Sequence, residues 1–146
     1  MLALAAELAD GAHPYNVTPE HTARVREILG PDKLLCPEQM VILETDPAIA
    51  RAIGRRVLGH STVMPNYRAS FLRMGFTEED LENSGSDRFI DSIVAWGDED
   101  AIRRRIQEHW DAGADQVCIQ TLPKETMRAT EDDLKIFELL APVGGD

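Results

Sequence analysis

The chain has 146 residues, 43% of them hydrophobic and 28% charged, with a formal net charge of -11. This is ordinary globular composition, enough for one domain or a piece of one, and it is not that of a disordered chain. The charge would repel a polyanionic backbone, and no apolar run approaches the roughly 20 residues a bilayer-spanning helix needs, so nucleic acid and membrane are not expected partners. Leu2 to Leu8 lacks the basic region of a signal peptide, which leaves a soluble, cytoplasmic protein as the expectation.

The first helical pattern starts at the initiating methionine: Leu2, Ala5, Leu8 and Ala9 recur at helical spacing and stop at Asp10-Gly11. The apolar stretch Ala12 to Val17 follows as a strand candidate. A helix feeding a strand is the second half of a β/α unit, so we read the sequence as the C-terminal part of a larger α/β protein. Thr18 and Pro19 then supply an N-cap and a first-turn proline for a helix reaching Leu29, with Gly30-Pro31 as its stop. Glu38 to Glu44, a continuous apolar run between Pro37 and Asp46-Pro47, reads as a buried parallel strand. Asp46 caps a further helix running towards Gly59.

From His60 to Ser86 the alternation breaks. Pro65, Asn66, Gly75, Asn83 and Gly85 surround two short helical patterns, Asn66 to Met74 and Thr77 to Glu82, and the segment reads as an insertion on the rim of the fold. Asp87 is placed to cap a helix carrying Phe89, Ile90, Ile93, Val94 and Trp96 up to Gly97. Asp98 caps the next, Glu99 to Ala112. Asp115 to Leu122 is a third strand candidate, and Thr130 with Asp133 forms a capping-box-like start for a last helix through Leu140, stopped by Pro142 and Gly144-Gly145.

Near-continuous apolar strands separated by helices imply a parallel sheet covered by helices. Three strand candidates are too few for a closed (β/α)8 barrel, which takes about 250 residues. Neither a G-x-G-x-x-G turn nor a P-loop is present, so the nucleotide sites built on those motifs are not supported. Cys36 and Cys118 match no metal spacing, and Cys118, inside an apolar run, reads as a buried inert thiol. His21, His60 and His109 show no ligand spacing either. Trp96 and Trp110 fall on apolar helix stripes and read as core anchors.

The runs LADGAHPYNVTPEHTARVREILG, PEQMVILETDPAIARAIGRR, MPNYRASFLRMGF and DRFIDSIVAWGDEDAIRRRIQEHWDAGADQVCIQTL, in this order and spacing, resemble the C-terminal half of luciferase-like monooxygenases, in the branch of oxidoreductases that use a deazaflavin coenzyme of the F-420 type. The resemblance implies a partial TIM-like (β/α)8 barrel. Ala12 to Val17, Glu38 to Glu44 and Asp115 to Thr121 would be its sixth, seventh and eighth strands, and residues 60–86 part of a variable insertion near the pocket. The first four or five β/α units would lie outside this chain. The coenzyme it implies is the deazaflavin, with FMN as the alternative.

Barrel enzymes place their working groups where strands end. His13, Tyr15 and Asn16 precede the Thr18-Pro19 helix start: His13 is a candidate proton donor, Tyr15 a group to orient a carbonyl or hydroxyl, and Asn16 a ligand contact. A satisfied structural histidine and a packed tyrosine are the rival reading. Gln120 and Thr121 close the last strand and suit hydrogen bonds to a flavin-like ring or a substrate, or a cap of the following loop. Glu44 ends the middle strand as a base or a solvated carboxylate. In the insertion, Asn66, Tyr67 and Arg68 are candidates for lining a substrate pocket, with surface decoration as the alternative.

Two functions follow. One is the C-terminal portion of an oxidoreductase that passes hydride between coenzyme and a small organic substrate, with the missing N-terminal half or a second copy of the chain as partner. The other is a truncated, non-catalytic partial barrel that folds or dimerises without activity.

Overall fold

In a computed structural model, which describes residues 2–125 and 130–141, the chain alternates helix and strand as α1 (Leu2–Leu8), β1 (Gly11–Ala12), α2 (Pro19–Leu29), β2 (Leu34–Leu35), β3 (Glu38–Leu43), α3 (Pro47–Val63), α4 (Pro65–Arg73), a 3-10 segment (Glu79–Ser84), α5 (Asp87–Ile93), β4 (Val94–Gly97), α6 (Glu99–Asp111), β5 (Cys118–Thr121) and α7 (Glu131–Leu140). The expected stop of the last helix at Pro142 and Gly144-Gly145 lies outside the described residues. All strand pairs among the described residues are parallel. β3 lies between β4 and β5, and β1 pairs with β2.

Capping chemistry sets the helix starts. Thr18, Asp46 and Asp98 accept from backbone N–H groups of the first turns of α2, α3 and α6, and Thr130 and Asp133 complete a reciprocal capping box on α7. α5 is capped by Ser86, not by the expected Asp87, which instead pairs with Arg51 and Arg55. The helix expected to continue to Trp96 stops at Ile93, and Val94–Gly97 joins the sheet as β4. Val94 and Trp96 face one side of that strand and Ala95 the other, in step with Met40, Ile42 and Val41 of β3.

The first expected strand, Ala12 to Val17, is also shorter than its apolar composition suggests. Pro14 has no N–H to give a ladder, and Asn16 takes a left-handed backbone with φ of 56°, which a side-chain-bearing residue rarely extends into a strand. The backbone nevertheless stays in register as far as Pro14, whose carbonyl accepts from Glu38 N–H at 2.9 Å.

Period-two alternation divides the sheet between two cores. Met40, Ile42 and Val94 pack against α3, α4, the 3-10 segment and α5, where Phe71, Phe76 and Phe89 meet edge to face with centroids 4.8 to 6.5 Å apart. Val41 and Ala95 face the other way, onto Ile102 and Ile106 of α6 and Ile136 of α7. Val25, Leu29 and Leu35 form a third cluster under α1. Two glycines make these approaches possible: a Cβ on Gly11 would stand 2.2 Å from the Leu34 carbonyl oxygen, and one on Gly54 would stand 2.7 Å from Ile90.

A polar seam joins the helices to the sheet. The imidazole of His109 on α6, fully buried, lies between Thr22 Oγ1 of α2 at 2.8 Å and Gln39 Oε1 of β3 at 3.0 Å. Gln39 Nε2 donates to the carbonyls of Met40 and Ile93. Burial holds the His109 pKa down at about 4, so the ring is neutral near pH 7. Among the described residues, no helix is long and apolar enough to cross a membrane.

Candidate functional site

The β3 strand begins with a charged residue, and that residue is where the polar groups of the sheet converge. Glu38 is flanked by Pro14 on one edge and by Cys118, its register partner on β5, on the other. Side chains in register point to the same face of a parallel sheet, so Glu38, Cys118 and Gln120 share the face opposite α6 and α7. Tyr15, from the loop after β1, reaches this face and donates to Gln120 Oε1 at 3.3 Å. The Tyr67 ring of α4 stands 6.2 Å from that of Tyr15 and 6.3 Å from Phe71. His13 bonds through Nδ1 to the Cys36 carbonyl.

Electrostatics single out Glu38. Its Oε1 is buried and has no hydrogen-bond partner among the described residues. Desolvation raises its pKa to about 7, opposed by the nearby His13. Burial also pushes the Tyr15 phenol up, with Glu38 and then Tyr67 adding to the effect. The Cys118 thiol is raised by burial, then by Cys36 and Glu38, which keeps it protonated. It is half-buried rather than fully buried as its sequence context suggests.

Such a carboxyl, poised near neutrality beside a tyrosine, a histidine and an amide, can hold or release a proton in the physiological range. In the sequence alone, Glu38 reads only as the start of a strand. The available signal was a carboxylate heading an otherwise apolar, buried run, a placement that costs free energy unless it is paired or used.

Of the residues expected at the site, His13, Tyr15, Tyr67 and Gln120 come together. Asn16 lies in the same loop, only 3% exposed, with both amide atoms lacking a partner among the described residues. Thr121 points to the opposite face and donates to the Asp133 carbonyl at 3.2 Å. Glu44 lies six residues along β3, ~20 Å from Glu38 at strand rise. There it accepts from Asp46 N–H at 3.0 Å and pairs with Lys124 at 3.5 Å; chiefly the Asp46 bond holds its pKa low. Arg68 is engaged with Glu78 and the Thr62 carbonyl. Trp96 packs on the core and donates to Asp91 at 2.8 Å. Trp110, expected to anchor a core, is 49% exposed, because α6 turns it towards the groove beside β5 and α7. Among the described residues, no group of three or more His, Cys, Asp or Glu could hold a metal ion.

An unpartnered carboxyl, an uncharged amide and two phenols gathered at one end of this face are hydrogen-bonding groups of the kind a flavin-like ring can use.

Comparison with protein-family models and with curated proteins finds no match. Among solved structures, the chain is similar to an F420-dependent secondary alcohol dehydrogenase in complex with an F420-acetone adduct. The TM-score is 0.67 at 15% identity, and the match covers 99% of this chain and 46% of that one. The chain therefore spans less than half the length of that neighbour. The parallel α/β arrangement expected from the sequence, and the deazaflavin enzyme fold it resembles, meet in one result: this chain has the fold of part of an F420-dependent secondary alcohol dehydrogenase.

Proposed function

We propose that the chain forms the coenzyme- and substrate-facing wall of a deazaflavin-dependent oxidoreductase acting on a small organic substrate. The observation that carries this reading is the cluster of Glu38, Tyr15, Gln120 and His13 on one face of the parallel sheet, in a fold like that of an enzyme in complex with an F420-acetone adduct. FMN remains the competing coenzyme.

Gln120, Tyr15 and Asn16 would hold the ring and substrate. When bound, a deazaflavin there would give or accept the hydride. Glu38, with a pKa of about 7, takes up or gives the proton that must accompany hydride transfer to or from an oxygen-bearing carbon. Tyr15 orients that oxygen. Tyr67 and Phe71 exclude water from one side of the site. His13, fixed through Nδ1 to the Cys36 carbonyl, supports the ionised form of Glu38.

A second unpartnered surface lies on the other side of the sheet, the side of α6 and α7. Val117, just before β5, and Ile119 of β5 face a groove of about 600 Å³ that also holds Trp110, Ile106, Phe137 and Leu140. Such a broad apolar edge favours a covering polypeptide, and we take this to be either the other half of a barrel or a second copy of the chain.

Fluorescence titration of the deazaflavin coenzyme into the chain, with FMN as comparison, tests the reading. Saturable binding of the deazaflavin that weakens in Glu38→Gln and Gln120→Leu supports it. Binding indifferent to both substitutions removes the cluster from the site.

A further inference from the structure

A second polar site lies on the far side of the Phe71 and Phe76 rings from Tyr15. Between the first turn of α2 and the face of α5 is a cleft of about 190 Å³, lined by Thr18, His21, Arg24, Phe76, Arg88 and Ser92 among others. In a chain of net charge -11, arginines from two different elements converge here, and a third, Arg73, stands next to them. We propose that this cleft binds the phosphate group of a small phosphoester, gripped by Arg24 and Arg88 at the start of α2.

Three observations point to an anion. First, the cationic groups are incompletely used. Arg24 donates only through Nη1, to the Arg73 carbonyl at 3.2 Å, which leaves Nε and Nη2 without an acceptor among the described residues. Arg88 lies 5.1 Å over the Phe76 ring and pairs with Asp80, with a long 3.4 Å contact to the Gly75 carbonyl. Planar guanidinium forks held in this way match phosphate oxygens.

Second, His21 Nδ1 is buried with no partner among the described residues, although it borders the cleft. Burial, then Arg24, then Arg73 hold its pKa down. An anion would supply the missing partner.

Third, the eleven-residue α2 presents its positive end here, behind Thr18 and Pro19. Glu20 at that end and Asp80 beside Arg88 are the opposing acids; against three arginines they leave the cleft net positive. Its volume is below that of usual drug-sized pockets, which suits a phosphoryl group with a short organic tail along Phe76 and Met74 rather than a nucleotide.

The test is an NMR pH titration of the four histidines in the intact chain, with and without inorganic phosphate, at ionic strength matched with sodium chloride. Phosphate should bind saturably and raise the His21 pKa while leaving exposed His60 unmoved, because an adjacent anion favours the imidazolium. Arg24→Gln and Arg88→Gln should each weaken phosphate binding about tenfold. Arg24→Gln, which removes no ion pair, keeps the test clean if loss of the Arg88–Asp80 pair impairs folding. Replacing phosphate by glycerol phosphate should tighten binding if the tail lies along Phe76. A His21 pKa that phosphate moves no more than chloride does, or unchanged affinity in Arg24→Gln, would overturn the proposal.

Discussion

The Tyr15 phenol donates to Gln120 Oε1 at 3.3 Å across 105 residues of sequence, and so fastens the loop after the first strand to the last strand of the sheet. The bond lies on the same face as Glu38, at the level of Met40, the register partner of Gln120. Because both groups are partly exposed, Tyr15→Phe should cost less than about 1 kcal/mol of stability in urea unfolding. If Tyr15 orients the ligand, the same substitution should weaken deazaflavin binding by several-fold, a loss out of proportion to the stability change.

A fully buried histidine and a half-buried carboxyl on opposite faces of the sheet make opposing contributions to the pH dependence of stability. His109 has a folded pKa of about 4 against 6.5 for the free side chain. The unfolded chain takes up its proton first, so this contribution is complete above pH 6.5 and is lost as pH falls towards 4, amounting to about 3 kcal/mol. Glu38 has a folded pKa of about 7 against 4.5. The native state holds that proton longer, so stability is lost as pH rises from 4.5 to 7, by a smaller amount because water still reaches the carboxyl. The wild-type midpoint in chemical denaturation should therefore change little between pH 5 and 7. Glu38→Gln should expose the rise due to His109, and His109→Gln the fall due to Glu38. A slope that neither substitution alters would contradict this assignment.

The His109 seam also sets a mechanical prediction. His109→Leu leaves Thr22 and Gln39 buried without their shared partner, and should destabilise by about 2 to 4 kcal/mol at pH 7. Differential scanning calorimetry would register this as a lower midpoint. The pH-dependent rise seen in Glu38→Gln should then disappear in the double variant.

Gly11 stands where α1 turns into β1, with the Leu34 carbonyl 2.2 Å from where a Cβ would lie. Since that neighbour is backbone, it cannot swing aside. Gly11→Ala should force β1 from β2 and destabilise by roughly 1 to 3 kcal/mol, with amide hydrogen exchange rising first at Leu34 and Cys36, which donate to Asp10 and Ala12.

The apolar groove beside β5 should show itself in association. Trp110→Glu places a charge at its centre without touching the core, and sedimentation equilibrium should show weaker self-association than wild type if a second copy covers this face. A wild-type chain that stays monomeric at all concentrations would instead favour the other barrel half as the covering polypeptide.

The helices and the parallel sheet were legible in the sequence because their signals are local: Thr18-Pro19, Asp46-Pro47 and Asp98 mark starts by capping chemistry, and EQMVIL reads as buried at any register. β4 was not. Val94–Gly97 continues the apolar spacing of α5, and only pairing with Met40 to Leu43 converts it to a strand. The site was half legible. Tyr15 and Gln120 stand at the strand ends where reasoning from barrels places them, whereas Glu44 and Thr121, equally terminal, point away to Lys124 and Asp133. Glu38 escaped notice because its importance arises from the stagger that sets the exit of β1 level with the entrance of β3, a tertiary relationship with no local signal.

The most direct measurement is thermal unfolding of the chain with and without saturating deazaflavin coenzyme, with FMN alongside. If the Glu38 face builds a coenzyme site, the deazaflavin at 100 times its dissociation constant should add about 2.7 kcal/mol and raise the midpoint by several degrees, while FMN raises it less. A cooperative transition that neither ligand moves would contradict the assignment of Glu38, Tyr15 and Gln120 to a coenzyme-facing wall.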